Sequence, residues 1–414
     1  MSATTTTFAS ILKEHYTDKQ LYNLATQKTP LFTALKKKYY ESVGGSKFVQ
    51  PLSYALPGGG SSTFSTANAA TSNESKWGKF EVQHAKHYRV CRVDNELIAR
   101  TSTGSEDAFM SAVDEFDKGI LAEGQYINHR LYRGYGGAIG VSTGIATTTI
   151  TMSDPSDVLP IRVGDVLKAA STDGTSGAVR TGSVTVASVD RVLGTITCTG
   201  NVTAGIAAAV AGDYFFADGD FGLGISGLKD YIAESAGAAA VALNGLTRSA
   251  DLNMLGGLRV DGTTGASIAD IVVDQVVAYM NASGPSSDLQ LFCNPRVMGS
   301  LSKQLDGKWC VEKSGTVNGK DLGGVGYKSF QVNLEGCSVS FTPDPSCPTK
   351  RMFLLDMDTW CFFSAKMAPR FLLQQGGHDF IKPSENEDAW EARVGWYGNL
   401  VTNAPGYNCV ALLP

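Results

Sequence analysis

The chain has 414 residues, enough for two or three domains on length alone. Hydrophobic residues make up 43% and charged residues 18%, so it reads as globular but sparsely charged. A net charge of −5 is too mild to argue for a tight grip on nucleic acid. The start, MSATTTTFAS, lacks the basic-then-apolar pattern of a signal peptide, and there is no run of about 18 apolar residues to cross a membrane.

Eight cysteines occur (Cys91, Cys198, Cys293, Cys310, Cys337, Cys347, Cys361, Cys409), with no CxxC among them, so reduced thiols are expected rather than a disulfide scaffold or a zinc site. A large monomer ordinarily carries more surface charge than this. The low charge implies surface buried against partners.

Residues 1–45 form a polar, helix-capable arm. Leu21, Leu24, Leu31, Phe32 and Leu35 follow roughly helical spacing, Pro30 after Thr29 starts a second short helix, and Gly44 with Gly45 stops it. Lys36, Lys37 and Lys38 then read first as cations at a helix C-terminus, with phosphate contact as the functional reading.

Residues 46–93 form an extended hairpin loop. Phe48, Gln50, Leu52, Tyr54 and Leu56 share one face on the way out, with Pro51 marking an edge strand. Phe80, Val82, His84, Lys86, Tyr88 and Val90 share one on the way back. The connection, PGGGSSTFSTANAATSN, is too rich in Gly, Ser and Thr to build a core, and no charge occurs between Phe48 and Asn73. Ten residues of strand reach about 33 Å, and bare ladder edges invite pairing with another chain. Pro57, Gly58, Gly59, Gly60, Phe64 and Trp77 are the candidate contact residues.

Residues 94–137 contain the clearest helix, over 103–133. Thr103 three before Glu106 gives a capping box. Phe109, Val113, Phe116, Ile120, Ile127 and Leu131 form one stripe along about 45 Å. Gly119 and Gly124 predict close packing, and Arg130 and Arg133 suit the last turn.

Residues 138–220 change character. Short β-branched runs alternate with Gly and Asp at about ten-residue intervals, the pattern of a small all-β module inserted in a larger fold. Residues 221–380 return to mixed α/β. They include a helix over 265–280, a buried strand LQLFCN, and a helix capped by Asn294 with Pro295 at its first position. RMFLLDMDTWCFF reads as strand, turn, strand. Residues 381–414 contain AWEARVGWYGNLV, a half-buried strand in which Trp390, Ala392, Val394 and Trp396 alternate with Glu391 and Arg393.

The chemical signatures are near misses. Five histidines occur (His15, His84, His87, His129, His378), and His84 and His87 on one strand would face opposite sides. GYGGAIG follows a helix, not a strand, so it is no dinucleotide loop. GISGL has Leu228 where a nucleophile elbow needs Gly, which leaves Ser226 without its motif. Asp218 and Asp220 lack the Glu of a calcium loop. Asp356 and Asp358 fit a turn better than an acid–base pair. No enzyme, cofactor or metal site is therefore expected.

The order of elements resembles the major capsid proteins of tailed bacteriophages, the Hong Kong 97 type of fold. The resemblance is carried by LYNLATQKTPLFTALKKKYYESVGGSKFVQPLSYA, FGLGISGLKDYIAES, NPRVMGSLSKQLDG, MFLLDMDTWCFFSAKMAPRF and AWEARVGWYGNLVTNAPGYNCVALL, and it covers nearly everything except 138–220.

It implies an α+β fold with an N-terminal arm, an extended loop, a peripheral domain with the long helix, a mainly axial domain over 221–380 and a C-terminal return to the peripheral domain. The β-insertion is present in only some members. The front arm is short, without a coiled-coil-like extension to act as a fused scaffold.

The resemblance further implies a self-assembling shell of hexamers and pentamers in a virion, icosahedral or prolate, assembled in the host cytoplasm around double-stranded DNA. Its partners would be a separate scaffolding protein, a portal and, optionally, a decoration protein, with no membrane. DNA would be held by enclosure and weak non-specific contact through Lys36, Lys37 and Lys38. The alternative is a secreted or surface β-rich binding protein, which the missing signal pattern disfavours. An α/β hydrolase using Ser226 is third.

Overall fold

A computed structural model describes residues 29–39, 47–96, 106–265, 267–284, 289–305, 316–317, 320–321, 330–334, 336–372, 381–384 and 387–414. Leu21, Leu24, Gly44, Gly45, Thr103, His15, His378 and Cys310 lie outside them, as do the side chains of Phe109, Val113 and Phe116. The fold is mixed α and β, and the chain forms two compact units. The first takes residues up to Gln50, Lys79–Asp230 and Trp360–Val401; the second takes Pro51–Gly78, Tyr231–Thr359 and Thr402–Pro414.

The spine of the first unit is the 14-residue strand Ala389–Thr402. It pairs with Ala85–Asp94 over ten positions, with Arg370–Phe371 and Ile381–Pro383, and lies beside Trp360–Ser364, on whose other edge Lys36–Tyr39 runs parallel. Partners on both edges and layers on both faces bury nearly all of it. The expected half-buried alternation therefore fails at Glu391, which is buried. It accepts from Arg393 Nη2 at 3.0 Å and lies 3.5 Å from Arg92 Nε, so the charge is paired.

The helix Glu106–Leu131 packs on Ala85–Asp94. Gly119 is required there: a Cβ would sit 2.3 Å from Cys91 Sγ. Gly124 faces open space, so close packing holds at one of the two glycines only. Pro30 opens the short helix Pro30–Ala34, whose Phe32 N–H donates to Asn128 of the long helix at 3.0 Å.

After the long helix, the strands Gly140–Ile145, Thr149–Met152, Val166–Ala170, Val184–Asp190, Thr195–Cys198 and Tyr214–Ala217 close into a barrel. Alternate residues fill it, with Ile150, Leu167, Val186, Ile196 and Phe215 at its centre. Closure removes the open edges that so short a set of strands would otherwise expose.

The core of the second unit is a sheet in the order Leu258–Asp261, Cys409–Leu412, Arg351–Asp356, Leu289–Cys293, Cys337–Pro343, Phe330–Leu334. The helices Ile268–Ser283 and Pro295–Leu305 pack on it. Ser267 caps the first through Asp270 N–H at 3.2 Å, and Asn294 caps the second through Arg296 N–H at 3.1 Å. Strand Arg351–Asp356 leads through the turn Met357–Thr359 into Trp360–Ser364, and the two strands belong to different sheets.

Candidate functional site

The hairpin is a two-stranded ribbon of Lys47–Ala55 and Lys76–Gln83. Its outgoing face follows the expected register, with Phe48 and Leu52 buried. The return strand is not continuous. Phe80 and Val82 are buried, the strand breaks at His84, and from Ala85 onward the odd residues turn inward, leaving Tyr88 and Val90 exposed. A one-residue break reverses every later side chain, and the second half pairs with Ala389–Thr402 instead of the outgoing strand.

The connection has its own internal order. Gly58 N–H donates to Ser72 O at 2.7 Å, residues Phe64–Asn68 form one helical turn, and Asn73 Nδ2 donates to Ala67 O at 3.3 Å. Gly59 has φ +80, and a Cβ there would lie 2.5 Å from Ala70 Cβ.

No residue from Leu56 to Lys79 is buried. Leu56 and Phe64 are each 84% exposed and Trp77 70%. Pro57, Gly58 and Gly60 are exposed beside them. Spacing alone puts Leu56 on the same face as Phe48 and Leu52; its position just before Pro57 is the local sign that it leaves the ladder. The ribbon thus displays large apolar side chains and two strand edges, with no charge from Phe48 to Asn73 and charge again at Glu74, Lys76 and Lys79.

Lys36, Lys37 and Lys38 lie on a strand, not at a helix end. The short helix stops at Ala34 because the chain turns extended at Leu35 to pair with Cys361, Phe362 and Phe363. Lys37 Nζ sits 4.3 Å from the Phe32 ring centroid, where desolvation pulls its pKa down, and Lys38 Nζ sits 5.7 Å from that of Phe363.

The most strongly polar interior lies at the end of the long helix. Glu123 is fully buried and receives His87 Nδ1 at 2.5 Å, Trp396 Nε1 at 2.7 Å and Arg89 Nε at 3.2 Å. Burial pushes its carboxyl up, but the hydrogen bond and charge of His87, the charge of Arg89 and the Trp396 hydrogen bond outweigh it, and the net shift is downward.

One turn and more beyond, Arg133 holds Asp157 of the barrel at 2.5 Å and Ser156 Oγ at 3.1 Å. Arg130 donates to the carbonyls of Gly134, at 2.9 Å, and of Ala138. Both arginines therefore do more than complement the helix dipole. This cluster is not legible in the sequence, because its partners come from several separate segments, with Trp396 273 residues from Glu123.

The near-miss motifs resolve into structure. GYGGAIG wraps the Arg130 guanidinium. His84 packs against Phe48 with ring centroids 4.3 Å apart and planes tilted by 57°, and His87 stacks on Tyr126 at 4.1 Å. Ser226 is buried, and its backbone N–H donates to Asn399 Oδ1 at 2.9 Å. Asp218 pairs with Lys168 at 2.7 Å, and Asp220 accepts from Tyr126 Oη at 2.5 Å. Asp356 accepts from Asp358 N–H at 3.1 Å in a turn. Burial raises the Cys293 and Cys409 thiols to about 12, and every described cysteine is a free thiol.

No protein-family model matches the chain, and no curated protein matches it. Among solved structures it is similar to a chain of the cyanophage A-1(L) capsid asymmetric unit (13% identity, 93% of each chain covered, TM-score 0.48). It is similar also to the capsid of a native GTA particle (11% identity, 93% of this chain and 90% of that one, TM-score 0.44). A third likeness is to an encapsulin complex from Synechococcus elongatus (10% identity, 100% of this chain and 96% of that one, TM-score 0.42).

Proposed function

We propose that the chain is a non-enzymatic shell subunit, the major capsid protein of a tailed bacteriophage. Copies of it would assemble as hexamers and pentamers into a closed head around double-stranded DNA. What supports this reading is the ribbon over residues 56–79, which combines exposed Leu56, Phe64 and Trp77 with a connection that carries no charge until Glu74. Covering each such side chain is worth about 1.5–3 kcal/mol, and an uncharged segment can be covered without the desolvation cost that a charge would bring. The partner that supplies this cover is another copy of the chain. A term of this size repeats at every subunit of a closed symmetric assembly.

In this reading residues 1–45 are an arm, 46–93 the extended loop and 94–137 with 381–414 the peripheral domain. Residues 221–380 are mainly axial, and 138–220 form an inserted β-domain on the outer surface. Lys36, Lys37 and Lys38 make at most weak, sequence-blind contact with the enclosed DNA, of the kind that weakens steeply with salt. A separate scaffolding protein, a portal and, optionally, a decoration protein complete the particle, which assembles in the host cytoplasm.

The test replaces residues 57–72 with an Asn-Gly turn, which can still join two strands. The shortened chain is expected to fold, by circular dichroism, but to give no closed particles by sedimentation velocity and electron microscopy. Normal shells from the shortened chain would overturn the reading, and unfolded protein would show that the segment belongs to the core.

A further inference from the structure

Within the first unit a cleft of about 310 Å³ opens where the strand Ala85–Asp94, the end of the long helix and the barrel meet. Tyr88, Val90 and Asp218 stand exposed at its mouth. His129, Arg130, Ile139 and Leu167 lie buried at its floor. The volume is at the small end of the range for pockets that hold organic ligands.

The polar groups at the floor have unused capacity. Arg130 is 1% exposed, its hydrogen-bond acceptors are two neutral carbonyls, its Nε has no partner, and no carboxylate among the described residues pairs with it. His129 is also 1% exposed, and neither of its ring nitrogens makes a hydrogen bond. The Ser156 backbone is near enough to favour the charged ring slightly, but forms no bond of good geometry with it.

The acids near the cleft are already engaged. Asp218 holds Lys168, Asp165 accepts the Arg162 N–H at 2.7 Å, and Glu123 behind the wall has its three donors. A buried guanidinium without a countercharge is costly, and a buried ring without partners adds to that cost. The barrel side of the cleft is apolar at Ile139, Ile161, Leu167 and Ala217 and carries two carboxylates, Asp165 and Asp218.

We propose that this cleft binds a small organic carboxylate, its head group on Arg130 and His129 and its apolar body against Ile161 and Leu167. The bound anion supplies the charge that Arg130 lacks and clamps the barrel to the helix. The site does not depend on whether the chain builds a shell.

Three probes of one shape separate the possibilities: benzoate, benzyl alcohol and benzylamine, each titrated against the full chain in ligand-observed saturation-transfer NMR. Benzoate is expected to bind saturably with a Kd of about 1 mM, benzyl alcohol at least about tenfold more weakly, and benzylamine not at all. Ala217→Phe fills the cleft from the barrel side without touching a charge and is expected to abolish the benzoate signal. His129→Leu is expected to weaken it about tenfold.

Circular dichroism checks each variant, and Val90→Trp, which blocks the mouth, replaces Ala217→Phe if that variant misfolds. Three results would overturn the proposal: undiminished benzoate binding in the blocked variant, a preference for benzylamine, or no saturable signal from natively folded protein.

Discussion

The ribbon over residues 56–79 and the end of the helix Glu106–Leu131 invert the ordinary distribution of charge. The ribbon has no buried residue and no charge before Glu74. The helix end is buried and carries Glu123, Arg130 and Arg133. An isolated globular protein favours the opposite arrangement, because exposed apolar surface and buried charge both cost free energy. The contrast teaches that the two regions answer to different partners. At the helix end Glu123 and Arg133 satisfy their charges within the chain, through bonds of fixed direction, whereas Arg130 meets two neutral carbonyls. In the proposed reading the ribbon keeps its apolar surface for another copy of the chain.

If that contrast is real, substitutions in the two regions must affect different measurements. The largest effect on subunit stability is expected from Glu123→Ala. It strands the donors of His87, Arg89 and Trp396 in a buried site and should cost about 3–5 kcal/mol in urea unfolding. A loss below about 1 kcal/mol would mean that the cluster is ornamental.

Gly119→Ala is expected to cost about 1–3 kcal/mol through its collision with Cys91 Sγ, even though helix propensity alone favours alanine by about 1 kcal/mol. Adding Cys91→Ala should recover the loss, and the double-mutant cycle reads the contact directly.

The pH dependence sharpens the contrast further. Burial first, and then the charges of Arg133 and Arg130, hold the His129 pKa well below its ordinary 6.5. Below that value the unfolded chain binds a proton that the folded chain refuses. Stability should therefore fall as pH drops from about 6.5 toward the lowered folded value, with a slope of up to about 1.4 kcal/mol per pH unit. His129→Leu should flatten that slope between pH 5 and 6.5, and an unchanged slope would assign it to other groups.

Glu123 acts at lower pH. Its folded pKa is depressed below the ordinary 4.5, so its contribution is present above 4.5 and is lost as pH falls through the folded value.

The smallest effect on the subunit is expected from Phe64→Ala and Trp77→Ala, each within about 0.5 kcal/mol in unfolding. These same changes should raise the protein concentration needed for particle formation, measured by light scattering. If the monomer loses as much stability as in Glu123→Ala, the ribbon belongs to the interior after all.

Much of this was legible where local chemistry decides. The Gly-punctuated runs coincide with strands Val166–Ala170, Val184–Asp190 and Tyr214–Ala217. Asn294 with Pro295 begins a helix, and Phe48 and Leu52 define a buried face. What failed depends on distant partners. The Lys36–Tyr39 strand forms because the edge of Trp360–Ser364 is there to pair with. The break at His84 marks where the chain exchanges one pairing partner for another. Closure of the barrel, burial of Glu391 and convergence on Glu123 likewise arise from segments that no local window contains.

The strand Ala389–Thr402 has one further consequence, for the order in which the chain can fold as it is synthesised. The first unit cannot complete its sheet until that strand has left the ribosome, and the second cannot seat Leu258–Asp261 until Cys409–Leu412 follows. At about 5–20 residues per second, the segments made earlier wait on the order of ten seconds or more with their pairing edges open. The barrel is exempt, because all its strands lie in one unbroken stretch of chain. A nascent copy among many others is therefore most exposed to premature pairing when it is nearly finished.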